Sequence, residues 1–236
     1  MLNLTKKTLL IIAPHPDDEI IGCGGLISKI KSLGGKVYVL YLTVGTTSDF
    51  SKRGVSTEFE RVEEIKKVSS FLKLDGWRIA FPGDLYHLQL DRLGQKQIIH
   101  EIERGEKISL ELLKPDIVAF PCLGDYNQDH SAAARATFSA CRPASEADKF
   151  VPDLILSYEA PMGFWSLETN SNPNFFVKLT ARELGDKIKA VSLYKSQMRG
   201  TGYPRSREVL ESLAAVRGSI IGTEFAEGFY CHKIKV

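Results

Sequence analysis

Leu9-Leu10-Ile11-Ile12-Ala13 is an unbroken apolar run that ends abruptly in Pro14-His15-Pro16-Asp17-Asp18-Glu19. A strand with no polar residue has no face for water, so it belongs inside a parallel sheet covered on both sides. After Glu19 the residues Ile20, Ile21, Leu26, Ile27, Ile30 and Leu33 recur at helical spacing. A histidine and three acids therefore occupy a strand-to-helix turn, and in an open α/β sheet such turns lie at the carboxyl edge, where ligands bind. Pro16 biases His15 toward extended backbone, so the strand runs up to it. His15 and Asp18 stand close enough at a helix start to converge on one cation. Acids there also serve as caps and favour the helix dipole, but one acid is enough to cap. A second cluster has to decide between the two readings.

Downstream, strands and helices alternate. Gly34-Gly35 ends the first helix, and Lys36 to Val44 is a second strand rich in β-branched and aromatic residues. Gly45 to Val55 is a polar loop at its carboxyl end, a candidate active-site loop. Ser56 or Thr57 caps a helix over Glu58 to Leu74, with Phe59, Val62, Ile65, Val68 and Leu72 on its apolar face. Arg61 and Glu64 lie off that face and read, by periodicity, as a surface ion pair. Trp77 to Phe81 is a third strand. Asp84 and His87 after it read as a turn aspartate and a surface histidine, with a site role as the alternative. Ile98 to Leu113 forms a helix stopped by Pro115, and Asp116 to Phe120 a fourth parallel strand. The alternation predicts a doubly wound α/β fold, a mostly parallel sheet with helices on both faces.

The second cluster follows that fourth strand. Pro121-Cys122-Leu123-Gly124-Asp125-Tyr126-Asn127-Gln128-Asp129-His130 leads into an alanine-rich helix, Ser131 to Cys141, repeating the order of strand, polar turn and helix. Two such turns on one parallel sheet can face each other, which lets His130 meet His15 and Asp18. Two histidines and a carboxylate with an open position make a catalytic zinc set, in which bound water has its pKa lowered. Asp129 is placed to orient either a neighbouring ligand or the catalytic base through a hydrogen bond; as a plain alternative it caps the helix.

Composition removes other classes. At 236 residues, 43% of them hydrophobic, the chain is long enough for one good core and short for two, so a single domain over 1–236 is expected. A net charge of +2 without a basic block gives no reason to invoke nucleic acid. The short N-terminal apolar run supplies neither a signal-peptide core nor a membrane span, which predicts a cytoplasmic location. Cys23, Cys122, Cys141 and Cys231 form no C-x-x-C pair and read as reduced thiols. Gly22-x-Gly24-Gly25 falls inside the helix rather than in a G-x-G-x-x-G turn, which disfavours a NAD site. Beyond residue 145, Asp153 to Ser157 and Phe175 to Leu179 read as strands and Ala181 to Met198 as a helix. The aromatic linker from Ala160 to Asn174 is either a cleft wall or a plug on the core. Gly200 to Arg207, with Arg199 before it, reads as surface arginines, with a site for an acidic group as the alternative.

Ala13-Pro14-His15-Pro16-Asp17-Asp18-Glu19 resembles the AHPDDE signature of the PIG-L/LmbE family of zinc-dependent deacetylases, and Asn127-Gln128-Asp129-His130 resembles its HxDH signature. Arg61 and Glu64 resemble a frequent RxxE element of bacterial members. Asn174 to Thr180, Lys187, Ser196-Gln197, Arg217-Gly218 and Phe225-Ala226-Glu227 resemble their carboxyl-terminal pattern. The resemblance implies a Rossmann-like fold with one divalent metal per chain, usually zinc, that hydrolyses the N-acetyl amide of an amino sugar or a sugar-linked thiol. It implies His15, Asp18 and His130 as metal ligands, Asp17 as general base, and Arg61 as a sugar or oxyanion contact. Asn127 stands where many members have a histidine thought to stabilise the oxyanion or assist protonation. An amide donates a hydrogen bond but delivers no proton near neutral pH, which leaves the general acid open; Asp17, once protonated, can serve both transfers.

The expected protein is thus a zinc-dependent N-deacetylase, with another divalent metal as an alternative, acting on a small N-acetylated sugar or glycoconjugate and compatible with a homo-oligomer. The alternatives are an amidase on a thiol conjugate or other acyl amide, and a non-catalytic metal- or sugar-binding module. Asn127 keeps the module open; Asp17 argues against it, since such a module needs no base.

Overall fold

The computed structural model describes residues 2–48, 53–166 and 172–235. Residues 49–52 of the polar loop and 167–171 of the aromatic linker lie outside the described residues. In chain order the elements are β1 (Thr8–Ala13), α1 (Asp18–Ser32), β2 (Lys36–Val44), β3 (Thr47–Ser48), β4 (Val55–Ser56), α2 (Glu58–Leu72) and β5 (Gly76–Pro82). Then follow α3 (Gln95–Arg104), α4 (Leu110–Leu113), β6 (Ile117–Pro121), α5 (Gln128–Ala140), β7 (Leu154–Tyr158), β8 (Phe175–Leu179), α6 (Ala181–Leu193), α7 (Arg207–Ile220) and β9 (Phe225–Ile234).

The unbroken apolar run of β1 is explained by its neighbours. Leu9, Ile11 and Ala13 pack into one core beneath α1 and α6, whereas Leu10 and Ile12 pack into a second core against α3 and α5. The described strands form a seven-stranded sheet in the order β5-β2-β1-β6-β7-β9-β8. The first five are parallel; β9 runs antiparallel between β7 and β8. The chain winds outward from β1 through β2 to β5, then returns to the other side of β1 with β6. The strand order therefore reverses at β1, and the turns after β1 and β6 lie side by side at the carboxyl edge, where a crevice opens. The expected α/β fold, mostly parallel sheet and helices on both faces are present.

Several elements differ from expectation. The helix expected over Ile98 to Leu113 is broken at Gly105, where a Cβ would come within 2.4 Å of the Glu101 carbonyl oxygen. The helix expected to reach Met198 stops at Leu193. Phe59, placed on the apolar face of α2, is 73% exposed. Helix α7 and strand β9 were not anticipated, because Gly218 and the Glu227-Gly228 pair weaken both local patterns. All four cysteines are free, three of them buried. No helix among the described residues is long and apolar enough to cross a membrane.

Glycines let α1 lie close against its neighbours. A Cβ on Gly22 would sit 2.2 Å from the Tyr158 ring, and one on Gly25 would sit 2.5 Å from Leu179. The approach brings Glu227 of β9 onto α1, where its carboxylate accepts the Gly25 and Leu26 amides at 2.8 and 2.7 Å and the Lys187 ammonium at 2.8 Å. One buried carboxylate thus ties α1, α6 and β9. Glu227→Ala leaves a buried ammonium unpaired, and a stability loss of about 3–5 kcal/mol is expected, read as a lower urea midpoint; an unchanged midpoint would show that the pair holds nothing together.

Candidate active site

Because β1 and β6 are adjacent, the two polar turns meet. His15, Asp18 and His130, all buried, offer ligand atoms within 4.8 Å of one another. His130 Nε2 lies 3.1 Å and His15 Nδ1 3.4 Å from Asp18 Oδ2. The remaining ring nitrogens are held from behind, His15 Nε2 by Asp129 Oδ2 at 2.9 Å and His130 Nδ1 by Asp125 Oδ2 at 2.7 Å. Such carboxylate–histidine contacts fix the ring orientation of metal ligands. His130 Nε2 is buried with no hydrogen-bond partner, although it faces a carboxylate. An orphaned imidazole nitrogen beside a carboxylate and a second imidazole is a donor set suited to a divalent cation with a coordination position left open. These three residues can hold a metal ion.

Electrostatics agree with that use. Burial alone lowers the His130 pKa, but Asp18 and Asp125 outweigh it and raise the imidazole to about 10. Burial alone raises the Asp18 carboxyl, but His130 and His15 hold it well below the usual carboxylate range. The site is thus a cation-and-carboxylate cluster, in which a metal ion would replace the proton.

The turn also separates two adjacent acids. Asp17 has φ 106°, in the left-handed region, a conformation that costs a non-glycine residue about 1–3 kcal/mol. Its carbonyl accepts the Ile20 and Ile21 amides at 3.0 and 2.9 Å, and its own N–H donates to Glu19 Oε2 at 3.0 Å. With the backbone so turned, Asp18 faces the histidines while Asp17 lines a cavity of about 270 Å³. Arg205 Nη1 lies 3.1 Å from Asp17 Oδ2. Burial pushes the Asp17 carboxyl up to about 6, against the pull of Arg205.

Arg61, His87 and Arg205 line that cavity, where the periodicity and turn patterns read them as surface residues. Arg61 and Glu64 are buried, not a surface pair. Arg61 Nη2 donates to the Pro16 carbonyl at 3.0 Å, and Glu64 accepts the Ser196 amide and hydroxyl at 2.9 and 2.6 Å. The face of α2 that carries them is covered by α6 and the segment after it, a contact that periodicity along α2 does not reveal. His87 is likewise buried, its ring 5.2 Å from that of His15, with Nδ1 3.3 Å from Thr43 Oγ1 and Nε2 2.6 Å from Thr47 Oγ1. Burial lowers its pKa to about 3, so the imidazole is neutral. Asp84 is a turn aspartate as expected, accepting the Thr46 amide. Arg205, expected at the surface, instead pairs with Asp17, and Met162 brings the aromatic linker to the cavity wall.

Asn127 caps α5, its Oδ1 accepting the Asp129 amide at 2.9 Å, and it lines the cavity. Asp129 is fully buried and holds both His15 and the Leu90 amide. Asp125 is a residue the sequence reading missed, and Arg205, offered only as part of an alternative site for an acidic group, was not expected to pair with Asp17. Asp125 stands in the same polar turn as Asn127 and His130, which is a usable local signal; for Arg205 the clustered arginines suggest a site for an acidic group but do not name Asp17 as its partner.

Residues 10–141, more than half of the chain, match the family described as "PIG-L: GlcNAc-PI de-N-acetylase". The chain is 27% identical over 224 residues to a diacetylchitobiose deacetylase of Thermococcus kodakarensis, covering 94% of this chain and 82% of that protein. The conserved protein TT1542 of Thermus thermophilus superposes with a TM-score of 0.74 at 24% identity, covering 98% of this chain and 96% of that one. The 4-carboxy-2-hydroxymuconate hydratase of Pseudomonas putida superposes with a TM-score of 0.72 at 19% identity, covering 98% of each chain. These two likenesses speak for the fold alone, since one fold carries unrelated reactions.

Metal analysis after dialysis is expected to find about one zinc-like ion per chain, and almost none in His15→Ala or His130→Ala. Asp125→Asn should keep the ligand set and weaken binding about 10–100-fold. Metal content unaffected by the two histidine changes would overturn the ligand assignment.

Proposed function

The chain belongs to the PIG-L family of deacetylases, and on that premise we propose that it is a metal-dependent hydrolase removing the N-acetyl group from an amino sugar or glycoconjugate. The observation that carries this reading is the divergence of two adjacent carboxylates, Asp18 turned onto the histidines and Asp17 lining the cavity with Arg205. A binding module needs the first; only a hydrolase uses the second. The amino-sugar substrate draws support from the family's description and from the diacetylchitobiose deacetylase relative.

His15, Asp18 and His130 hold the ion, and their two nitrogens and one carboxylate suit zinc with an open position. When bound, the metal supplies Lewis acidity, polarising the acyl carbonyl and acidifying water beside it. Asp17 takes the proton of the attacking water, a task for which a carboxyl raised to about 6 is well matched near neutral pH. Arg205 fixes the direction of that carboxylate. The proton then passes from Asp17 to the leaving amine nitrogen as the carbon–nitrogen bond breaks, so one carboxyl serves as base and acid. Asn127 donates its amide hydrogen to the oxygen on which negative charge develops. Asp129 and Asp125 keep the two imidazoles in the orientation the ion requires, and Arg61 contacts the substrate.

The test is acetate release from N-acetylglucosamine and diacetylchitobiose by the zinc-loaded protein. Asp17→Asn should retain its metal and lose about 10²–10⁴-fold in rate; loss of the metal instead would exchange the roles of Asp17 and Asp18. Asn127→Ala should cost about 3 kcal/mol or less of activation free energy, the range for one lost oxyanion donor. An unchanged rate in that variant would remove Asn127 from the chemistry.

A further inference from the structure

Helix α5 begins at the metal cluster and ends 13 residues later, about 20 Å away at the rise of an α-helix. There its last turn, together with β7 and β9, borders a second cavity of about 510 Å³, within the range of about 300–1,000 Å³ that holds small organic molecules. Lys233 pairs with Ile155 near the start of β7, so the cavity lies toward the amino edge of the sheet, away from the metal. Phe138, Cys141, Val151 and Ile155 give it apolar walls. Cys141 is buried, and burial pushes its thiol up to about 12, which makes it a wall rather than a nucleophile. Phe138 is 56% exposed. His232 stacks on Phe120 with ring centres 5.5 Å apart and meets the Phe138 ring edge-on at 5.4 Å. Its Nε2 lies 2.9 Å from Ser157 Oγ, and Nδ1 has no hydrogen bond among the described residues.

Charge at this cavity has one sign. Among the described residues no acid lines it, whereas Arg142 and Lys233 do. Arg142 Nη1 donates to Glu103 and, at 3.1 Å, to the Ser139 carbonyl, which leaves Nε and Nη2 unused among the described residues. Lys233 donates to the Pro152 carbonyl at 2.8 Å, one of the three bonds an ammonium can make. Glu103, the acid that holds Arg142, is shared with Lys149, and Lys149 also covers the Ala140 carbonyl at the negative end of α5. Three cations therefore face one carboxylate. A cation gains nothing in such a place, and a purely apolar molecule leaves the unused donors unanswered. A flat ring with one negative group answers both, because aromatic rings pack edge-on or offset on Phe138 and His232 and a guanidinium fork takes the paired oxygens of a carboxylate.

We propose that the cavity between the end of α5 and the β7–β9 ladder is a second binding site, which takes a small aromatic carboxylate with its ring against Phe138 and His232 and its charge on Arg142 and Lys233. The site shares no residue with the metal cluster or its cavity, so it stands whether or not the proposed deacetylation does.

The probes are 1-naphthoate and its neutral counterpart 1-naphthamide, titrated into the zinc-loaded protein and followed by calorimetry. Naphthoate should bind one per chain and about tenfold or more tightly than the amide, as charge-assisted hydrogen bonds imply, and added salt should narrow the difference. Arg142→Gln and Lys233→Gln should each weaken naphthoate and leave the amide nearly unchanged, whereas Phe138→Ser should weaken both; metal content and acetate release should not move in any of the three. A carboxylate can also sit on the metal, so the imidazole proton resonances supply the second readout. Those of His232 should shift with naphthoate, and those of His15 and His130 should not. The reverse pattern, or binding untouched by all three substitutions, places the molecule at the metal and overturns the proposal. Equal affinity for acid and amide reduces the cavity to an apolar surface and overturns it as well. So does an absence of binding accompanied by a sedimentation mass of two chains that Phe138→Ser returns to one, which would give this face to a second copy of the chain. Should a substituted protein fail to fold, the acid-to-amide ratio and the His232 resonances of the wild type decide.

Discussion

Two carboxylates that are neighbours in sequence must point in different directions, and the left-handed backbone at Asp17 is what separates them. An aspartate does not rest there unaided. Its N–H is held by Glu19 Oε2, while Glu19 Oε1 receives the hydroxyls of Tyr41 at 2.9 Å and Tyr194 at 2.5 Å. Burial pushes the Glu19 carboxyl up to about 8, and the donors around it are what make an acid tolerable at that depth. Tyr41 comes from β2 and Tyr194 from the end of α6, so the sheet and the carboxyl-terminal half both clamp one turn. Tyr194 does this just past the last residue of α6, where the expected helix stopped early. The early stop thus lets that segment turn back over the site.

The chain divides its labour along the same line. Every residue of the metal cluster and both carboxylates behind it lie within residues 10–141, the part that matches the family. Gln197, Arg199, Tyr203 and Arg205, which also line the cavity, lie outside it. Residues near the metal are fixed by turns after adjacent parallel strands, a geometry that tolerates little change. The wall is carried by an irregular segment between α6 and α7, where insertions and exchanges disturb no ladder of hydrogen bonds. In the proposed reading, the chemistry is therefore set by the first half and substrate choice mainly by the second, with Arg61 on α2 contributing from the matched half.

This division also explains what the sequence reveals and what it conceals. The apolar run of β1, the turn after it and the similar turn after β6 are local patterns, and local patterns together with the reversal of strand order were enough to bring His15, Asp18 and His130 to one place. By periodicity Arg61 and Glu64 read as surface residues because both lie off the apolar stripe of α2, and His87 does so because it stands as a lone histidine in a turn. They are buried because α6 and the segment beyond it fold over α2, and because the turn after β5 folds against His15. The arginines around Arg205 suggested a site for an acidic group as an alternative, but its partner could not be found from its neighbours: Asp17 lies 188 positions earlier in the chain. β9 escaped notice for a related reason. Its Glu227 looks like a solvent-facing residue in an interrupted strand, and only the gap left by Gly25 shows why a carboxylate belongs there.

Asn127 shows how one residue serves a helix and a cavity together. Its Oδ1 is committed to the Asp129 amide as the cap of α5, which also steadies the aspartate that holds His15. With the acceptor end of the amide engaged, its donor end remains, and only a donor is needed to stabilise a developing negative charge. An imidazole at this position adds a proton that can be given away, and asparagine does not. In the proposed reading the proton inventory then falls to Asp17, whose carboxyl lies near 6 because burial raises it further than Arg205 draws it down. A base as weak as an ordinary exposed aspartate accepts the water proton poorly, and one much stronger returns it poorly to the amine. The balance between burial and the neighbouring charges, Arg205 foremost, is thus what allows a site without a second titrating donor at residue 127 to complete both transfers.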